Sequence, residues 1–583
     1  MARSRRPASG SVPTTERHLA IRVAHAIVEP FRVYRRRFAS ITRRAAERFE
    51  ARDWRGLQRD AVERMDLYEE TVSGAVGSVR TLLGDRLDDR TIWRLAREEY
   101  RKLALGMPDA EIAETFFNST TRRIFDTHGV DPDIEFLEPE ERPSSWDAAV
   151  RRLEAPASSR AILDDLVRHC RFQSTWQDLH GDLTAGAAVL DDALARHGFG
   201  GMPDRVEVFD RVFYRGQGAY VVARATAGRR AMPLVVALHH ERAGLRLGAV
   251  ITDLDDVSIL FSYTHSAFHV DAPEPALLVR FLAALLPHRR LAELYGAIGH
   301  RKHGKTELYR DLMRHVLETE ERFVHAPGVP GLVMLVFTLP DQDLVFKVIR
   351  DRFPPQKQIT PKQVREKYRL VARHDRAGRL IDAQEFEHLE IPLDRFDPRL
   401  LDELRRDASR STSVRGGALV LHRVYVERQV VPLDLYLARA TPDEARRAIL
   451  DYGTAIKNLA ATNIFPGDML IKNFGVTRRR RVVFYDYDEL RFLTEMNFRR
   501  MPVSDDPHDE LAETPWFGVG ENDVFPEELR NFLGVGPELR AAFEERHGDL
   551  YDVEFWRRIQ RRIEAGEVIE IRPYRRSLAL RRR

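Results

Sequence analysis

The sequence predicts an α+β chain in two parts, and three features carry that reading. From about residue 16 to 135, apolar positions such as Ile27, Phe31, Tyr34, Phe38 and Ile41 recur at threes and fours among Arg and Glu, the spacing of amphipathic helices. At about 205 the texture changes. Val206 to Phe209, Val212 to Tyr214, Tyr220 to Ala223, Leu234 to Leu238 and Ala249 to Ile251 are short β-branched runs parted by Gly-containing turns, which predicts a small antiparallel sheet to about 270. Beyond about 321, strands and helices follow one another in an order that ends on a polar array of Asp468, Asn473, Asp486 and Asp488.

The element order is specific. Residues 1–15, rich in Ser, Pro, Thr and Arg, read as a disordered leader. The charged break at 138–145 precedes a further helical stretch to about 196, and helices resume from Pro275 to about Glu321. The second part opens with strand, turn and strand: Phe323 to His325, then Ala326-Pro327-Gly328-Val329-Pro330-Gly331-Leu332, then an apolar run to Thr338. A glycine turn of this kind lets backbone N–H groups approach phosphate oxygens, because no Cβ blocks the path. The next strand carries Lys347 between Phe346 and Val348, so the lysine points away from both, into the cleft that the turn would cover. Thr360 and Pro361 cap a helix whose Glu366 is a candidate partner for that lysine. The apolar strand from Gly417 leaves through Val426, Glu427 and Arg428, as a hinge that grips adenine by its backbone would. Thr441-Pro442-Asp443-Glu444 is a capping box, and it opens the helix that delivers the chain to Asp468.

That order gives the terminal array a meaning. Asn473 follows Asp468 by five, and Asp486 follows Asn473 by thirteen behind apolar strand formers. Protein kinases need such a layout: a loop Asp that accepts the substrate hydroxyl proton, an Asn that binds Mg²⁺, and an Asp after a hairpin that binds the metal bridging the phosphates. The second part therefore reads as a bilobal protein-kinase-like catalytic domain over 321–583 with a C-terminal extension. Before it lies a mainly helical domain, 16–320, with a small antiparallel sheet at about 205–270.

Composition excludes several alternatives. Lys and Arg number 93 against 90 Asp and Glu, so no global positive field argues for nucleic acid. The single cysteine, Cys170, permits no internal disulfide, and Trp176 stands where a cysteine phosphatase needs Arg. No 18-residue apolar run offers a membrane span, so a soluble, cytoplasmic protein is expected. His239 and His240 end one strand, with His265 and His269 later, but strand neighbours face opposite ways and make a poor metal pair.

At the level of motif the chain resembles one family, the bacterial isocitrate dehydrogenase kinase/phosphatase. The carrying residues are Ala326 to Leu332, Val345-Phe346-Lys347-Val348-Ile349, His374 to Arg379 with Asp382, Gly467-Asp468 through Asn473 to Gly475, and Tyr485-Asp486-Tyr487-Asp488-Glu489. The similarity extends to Ala51-Arg52-Asp53-Trp54 and Phe555-Trp556-Arg557-Arg558. It implies a bifunctional enzyme that phosphorylates and dephosphorylates one serine of isocitrate dehydrogenase at a single ATP/Mg²⁺ site, with Mn²⁺ as an alternative ion. Flux between the citric acid cycle and the glyoxylate bypass would be controlled in this way, with AMP favouring the phosphatase.

The resemblance assigns roles. Ala326 to Leu332 and Lys347 would bind ATP, with Glu427 in the hinge. Asp468 would be the kinase base, Asn473 and Asp486 the metal ligands, and Asp382 a further active-site residue. Asp488 would be the extra carboxylate that activates water for the phosphatase direction. The helical first domain would be regulatory.

Departures from ordinary kinases matter here. Phe465-Pro466-Gly467-Asp468 replaces the His-Arg-Asp loop and Asp486-Tyr487-Asp488 replaces Asp-Phe-Gly, which points to control by ligands and domain contacts rather than by activation-loop phosphorylation. The stretch from Met496 to about Phe525 would grip the protein substrate. Two alternatives carry fewer features: a monofunctional protein kinase, and a haloacid-dehalogenase-like phosphatase with Asp486 as nucleophile.

Overall fold

The computed structural model describes residues 14–137, 145–262, 266–355, 357, 359–467, 469–502 and 517–580. Helices α1 (Thr14–Glu50), α2 (Trp54–Leu83), α3 (Arg90–Ala104) and α4 (Ala110–Phe125) form the first layer. Ala20, Val23, Ala24, Ile27, Phe31, Tyr34, Phe38 and Ile41 line one stripe of α1 and are buried against Trp93, Tyr100, Phe116 and Phe117. Asp53 and Asp89 cap α2 and α3 by accepting from the N–H groups of Gly56 and Thr91. Helix α1 already runs at Thr14 and Thr15, so the expected leader ends sooner than residue 15; the rest of it lies outside the described residues.

The first sheet departs from expectation at its edge. Its order is β1-β2-β4-β5-β6, with β3 paired to β4, where the strands are β1 (Val150–Glu154), β2 (Arg205–Phe209), β3 (Phe213–Arg215), β4 (Gly218–Ala227), β5 (Arg230–Glu241) and β6 (Gly244–Ile251). Strand β1 comes from the stretch read as helical. Val150-Arg151-Arg152-Leu153-Glu154 shows no clean apolar alternation, and its conformation is set by antiparallel pairing with β2, Val150 opposite Phe209. Both faces of the sheet are covered. Val221 and Ala223 pack with Ile162, Leu163 and Leu190 of helices α5 (Ser159–His169) and α6 (Leu179–Arg196). Val222 and Val235 pack with Val257, Leu278 and Phe281 of α7 (Leu254–Leu260) and α8 (Pro275–Leu285).

Helices α9 (Leu291–Ala297) and α10 (Arg301–Glu318) lead to the second sheet, whose order is β10-β12-β9-β8-β7 with β11 on β12. Its strands are β7 (Val324–His325), β8 (Met334–Leu339), β9 (Leu344–Ile349), β10 (Ala383–Pro392), β11 (Thr412–Arg415) and β12 (Ala418–Arg428). One face is apolar: Phe337, Phe346 and Val348 pack with Leu308, Leu312 and Val316 of α10 and with Leu400 and Leu404 of α12 (Pro398–Asp407). The alternation of β9 therefore leaves Lys347 on the opposite face, toward α11 (Pro361–His374).

The remaining lobe is helical. After β13 (Val431–Pro432) and α13 (Leu433–Leu437), the capping box at Thr441 and Glu444 starts α14 (Pro442–Ala461), which buries Ile449, Tyr452, Ile456 and Leu459. A three-stranded antiparallel sheet, β13-β15-β16, uses β15 (Phe474–Val476) and β16 (Val482–Phe484), while β14 (Ile464–Phe465) pairs with Arg491–Phe492. The helices Pro537–His547 and Val553–Glu564 close the base, with the Trp556 ring against Phe465 and Phe498. No helix among the described residues is long and apolar enough to cross a membrane.

Candidate active site

The site lies where the second sheet, the Gly-rich turn and the β15–β16 hairpin converge. The turn from Ala326 to Leu332 joins β7 to β8, with Ala326 N–H bonded to the Val336 carbonyl at 3.2 Å. Gly328 adopts φ +119°, a left-handed value that glycine reaches without penalty. A Cβ on Gly331 would stand 2.4 Å from the Met334 carbonyl oxygen, so only glycine lets the turn fold back there. Val329 and Leu332 are exposed at its tip.

Lys347 and Glu427 are brought together by register. Lys347 lies opposite Tyr425, so Glu427, two residues along β12, shares its face. The Lys347 Nζ sits 2.7 Å from Glu427 Oε2, and both side chains are buried. Lys347 also donates to the Tyr485 carbonyl at 2.9 Å, directly before Asp486. Burial pushes the Glu427 carboxyl above its ordinary value, with Lys347 opposing. Glu427 thus supplies the carboxylate that the sequence sought in Glu366, which is exposed and lies 4.0 Å from Lys362. The helix decides this. Val364, Tyr368 and Val371 of α11 face inward, and Glu366, two residues from Tyr368, is turned about 200° away. Tyr368 stacks on Tyr425 with centroids 3.9 Å apart and hydrogen-bonds to Glu427. As a hinge residue Glu427 keeps its backbone place, but its side chain goes to the lysine. Sequence reasoning missed this, although an acid closing an otherwise apolar strand was the available signal.

The hairpin positions the oxygen ligands. Phe474 pairs with Phe484, and Tyr485 N–H donates to the Asn473 carbonyl at 3.2 Å, so Asn473 and Asp486 leave the same end of the hairpin. Strand β16 stops at Phe484, yet alternation persists: Tyr487 is buried and bonds the Ile381 carbonyl at 2.6 Å, while Asp486 and Asp488 turn the other way and hydrogen-bond to each other. Lys357 is 2.9 Å from Asp488 Oδ2 and 2.6 Å from Glu489 Oε1, a partner with no signal in the sequence. Burial and the adjacent Asp488 carboxylate push the Asp486 carboxyl well up, while hydrogen bonds from Asp486 and Lys357 outweigh burial to keep Asp488 low. A divalent cation relieves the repulsion within such a pair. The hard oxygen donors of Asn473 and Asp486 fit Mg²⁺ or Mn²⁺, with Asp488 beside them.

Of the other assigned residues, one is described and one is not. Asp468 lies outside the described residues; Met469, next to it, has its carbonyl held by the Tyr452 hydroxyl. Asp382 precedes β10, accepts from Arg301 of α10 at 3.2 Å and from Gln384 at 2.7 Å, and lines a cavity shared with Glu427. Cys170 is no nucleophile: burial pushes its thiol up to about 12. Strand β16 sits in an antiparallel hairpin, whereas a haloacid-dehalogenase nucleophile needs the first strand of a parallel sheet.

Comparison with known proteins gives the family. The family model described as isocitrate dehydrogenase kinase/phosphatase (AceK) kinase domain matches residues 321–576, and its regulatory-domain counterpart matches 24–320. The chain belongs to the isocitrate dehydrogenase kinase/phosphatase family. It is 49% identical to the isocitrate dehydrogenase kinase/phosphatase of Anaeromyxobacter sp. (strain Fw109-5), covering 95% of this chain and 96% of that one. The Xanthomonas euvesicatoria pv. vesicatoria (strain 85-10) enzyme of that name is 43% identical, covering 97% and 99%. That of Pectobacterium carotovorum subsp. carotovorum (strain PC1) is 41% identical over 95% and 94%.

Proposed function

We propose that the chain is a bifunctional enzyme that transfers the γ-phosphoryl group of ATP to a serine of isocitrate dehydrogenase and removes it again, both at the site formed by Lys347, Asn473, Asp486 and Asp488. The observation that carries the reading is the Lys347–Glu427 ion pair, placed beside the Asp486–Asp488 pair by the Tyr485 carbonyl. Glu427 holds the lysine extended toward the α- and β-phosphates beneath the turn from Ala326 to Leu332. Mg²⁺ or Mn²⁺ on Asn473 and Asp486 would neutralise charge developing on the phosphoryl oxygens. Asp468 accepts the serine proton as the γ-phosphoryl passes to the serine oxygen and ADP leaves.

In the reverse task, Asp488 takes a proton from water as the water oxygen attacks the phosphoserine phosphorus; the bond from phosphorus to the serine oxygen breaks, that oxygen takes a proton from Asp468, and inorganic phosphate leaves. Lys357 supports that role by keeping Asp488 ionised. Asp382, tied to Arg301, belongs to the same account as a residue that links α10 to the site.

AMP as effector is supported by a cavity of about 150 Å³ whose lining includes Asp382, Glu427, Arg289, Arg428 and Arg479, with Glu293 paired to Arg289 and Arg428. Burial and the neighbouring Arg289 and Arg428 push the Arg479 guanidinium down to about 10. Cations crowded in this way suit a phosphate dianion. The cytoplasmic location expected from the sequence belongs to the same reading.

The test combines the purified protein with isocitrate dehydrogenase and ATP·Mg²⁺, then adds AMP. Incorporation of phosphate followed by its release as inorganic phosphate supports the proposal. Incorporation without release would leave a monofunctional kinase.

A further inference from the structure

Three histidines far apart in sequence meet behind the second sheet. His128, His388 and His422 each place a ring nitrogen within 4.8 Å of the others. This is not the His239, His240, His265 and His269 group weighed from sequence. His239 Nε2 bonds the Tyr574 hydroxyl at 2.6 Å, His240 Nδ1 bonds the Phe49 carbonyl at 3.0 Å, and His265 lies outside the described residues.

The cluster is built by a kink in two paired strands. Glu387 lies opposite Arg423 and Leu389 opposite Leu421, so His388 and His422 are cross-strand neighbours. On β10 the core takes Phe386 and then Leu389, and on β12 it takes Leu421 and then Val424. Alternation slips by one on both strands at the histidine pair, and both rings leave the core. His388 adopts φ +52°, a left-handed value that is strained for a residue with a Cβ. Its carbonyl accepts from Gly129 N–H at 2.8 Å, which brings His128 onto the pair. The His128 and His388 ring centroids are 4.2 Å apart. A fourth donor is at hand: Asp126 Oδ1 stands 3.4 Å from His388 Nδ1.

We infer that His128, His388 and His422, with Asp126 as fourth ligand, form a binding site for a divalent transition-metal ion of the zinc class, one that staples the segment after α4 to the paired strands β10 and β12. Three imidazoles and a carboxylate suit Zn²⁺, and disfavour Mg²⁺, which prefers oxygen. Tetrahedral Zn–N bonds of about 2.0–2.1 Å require nitrogens about 3.3 Å apart, so the rings must close by an ångström or so, within side-chain rotation. Arg415 opposes binding. Its Nη1 lies 3.0 Å from His128 Nδ1 and must withdraw when that imidazole binds a cation. Strand β12 also carries Glu427, so the ion would brace the strand that orients Lys347.

The experiment strips the full-length protein with chelator, saturates the oxygen site with Mg²⁺, and titrates Zn²⁺ against a chromophoric chelator, with Co²⁺ absorption as a second readout. Wild type should bind one equivalent that Mg²⁺ does not displace, and Co²⁺ should give the visible bands of a tetrahedral nitrogen-rich site. His128→Gln and His422→Gln should each weaken binding at least about tenfold, since even outer-shell losses cost 10–100-fold. Unchanged metal-free melting would show that the fold is intact. Arg415→Ala leaves the ligands in place and should bind as tightly or more tightly. Equal affinity and stoichiometry in the His128→Gln/His422→Gln double variant, or weaker binding in Arg415→Ala, would overturn the site.

Discussion

The Lys347 ammonium meets the Glu427 carboxylate at 2.7 Å because β9 and β12 pair with Tyr425 opposite Lys347, which puts the acid one diagonal step away on the cleft face. Removing one partner of a buried pair leaves the other charged and unmatched, so the pair has to be tested from both candidate acids. Glu427→Gln should cut phosphate transfer to isocitrate dehydrogenase about 10²-fold or more, the loss typical when a charge-stabilising contact goes. Glu366→Gln should stay within about threefold of wild type. Steady-state transfer from labelled ATP measures both, and the opposite order would return the role to α11.

On the proposed mechanism, Asp488 and Lys357 should separate the two directions. Asp488→Asn keeps the size and most hydrogen bonds but cannot accept a proton. Phosphatase turnover should fall about 10²-fold, the usual worth of a general base, while the kinase rate falls less than tenfold. Lys357→Met should move the acid limb of the phosphatase profile to higher pH, because Asp488 keeps the hydrogen bond from Asp486 but loses the ammonium that also holds it low. A pH–rate profile of each direction reads this out; an unshifted phosphatase limb would remove Lys357 from the account.

The motif residues were legible because each is fixed by local sequence: the glycine turn, the lysine between apolar strand residues, and the hairpin that carries Asn473 to Asp486. The partners were not. Glu427, Lys357 and the histidine cluster depend on strand register or on a loop from a remote segment, and neither leaves a periodic trace. Strand β1 escaped for a similar reason. Its five residues are mostly charged, and β2 rather than propensity holds them extended.

Arg379 joins the two halves of the catalytic lobe. Its guanidinium binds Asp451 of α14 at 2.7 and 2.8 Å and the Val482 carbonyl at 2.8 Å, while Asp451 also accepts from the Val482 N–H at 2.7 Å. Asp451→Ala leaves a buried cation and an unmatched strand N–H, a loss of about 3 kcal/mol. A calorimetric scan should show the transition of this lobe several degrees lower.

Acid should unfold the protein through its buried histidines. His239, His269, His300 and His303 are buried, and burial depresses all four, His239 and His303 to about 3. They are neutral in the fold and protonate near pH 6.5 once exposed, so below that pH the unfolded chain binds more protons and stability falls. The loss continues toward pH 3, at up to about 1.4 kcal/mol per pH unit for each histidine. Denaturant midpoints between pH 7.5 and 5 should drop with this slope, and His239→Asn should make it shallower by about one proton.

If one site runs both reactions, Lys347→Ala should stop both. Kinase and phosphatase rates are measured on the same preparation, with isocitrate dehydrogenase and its phosphorylated form as substrates and the circular dichroism spectrum as a check on folding. The account predicts that both rates fall by at least about 10²-fold together. A folded variant that loses the kinase reaction but still dephosphorylates at the wild-type rate would contradict it.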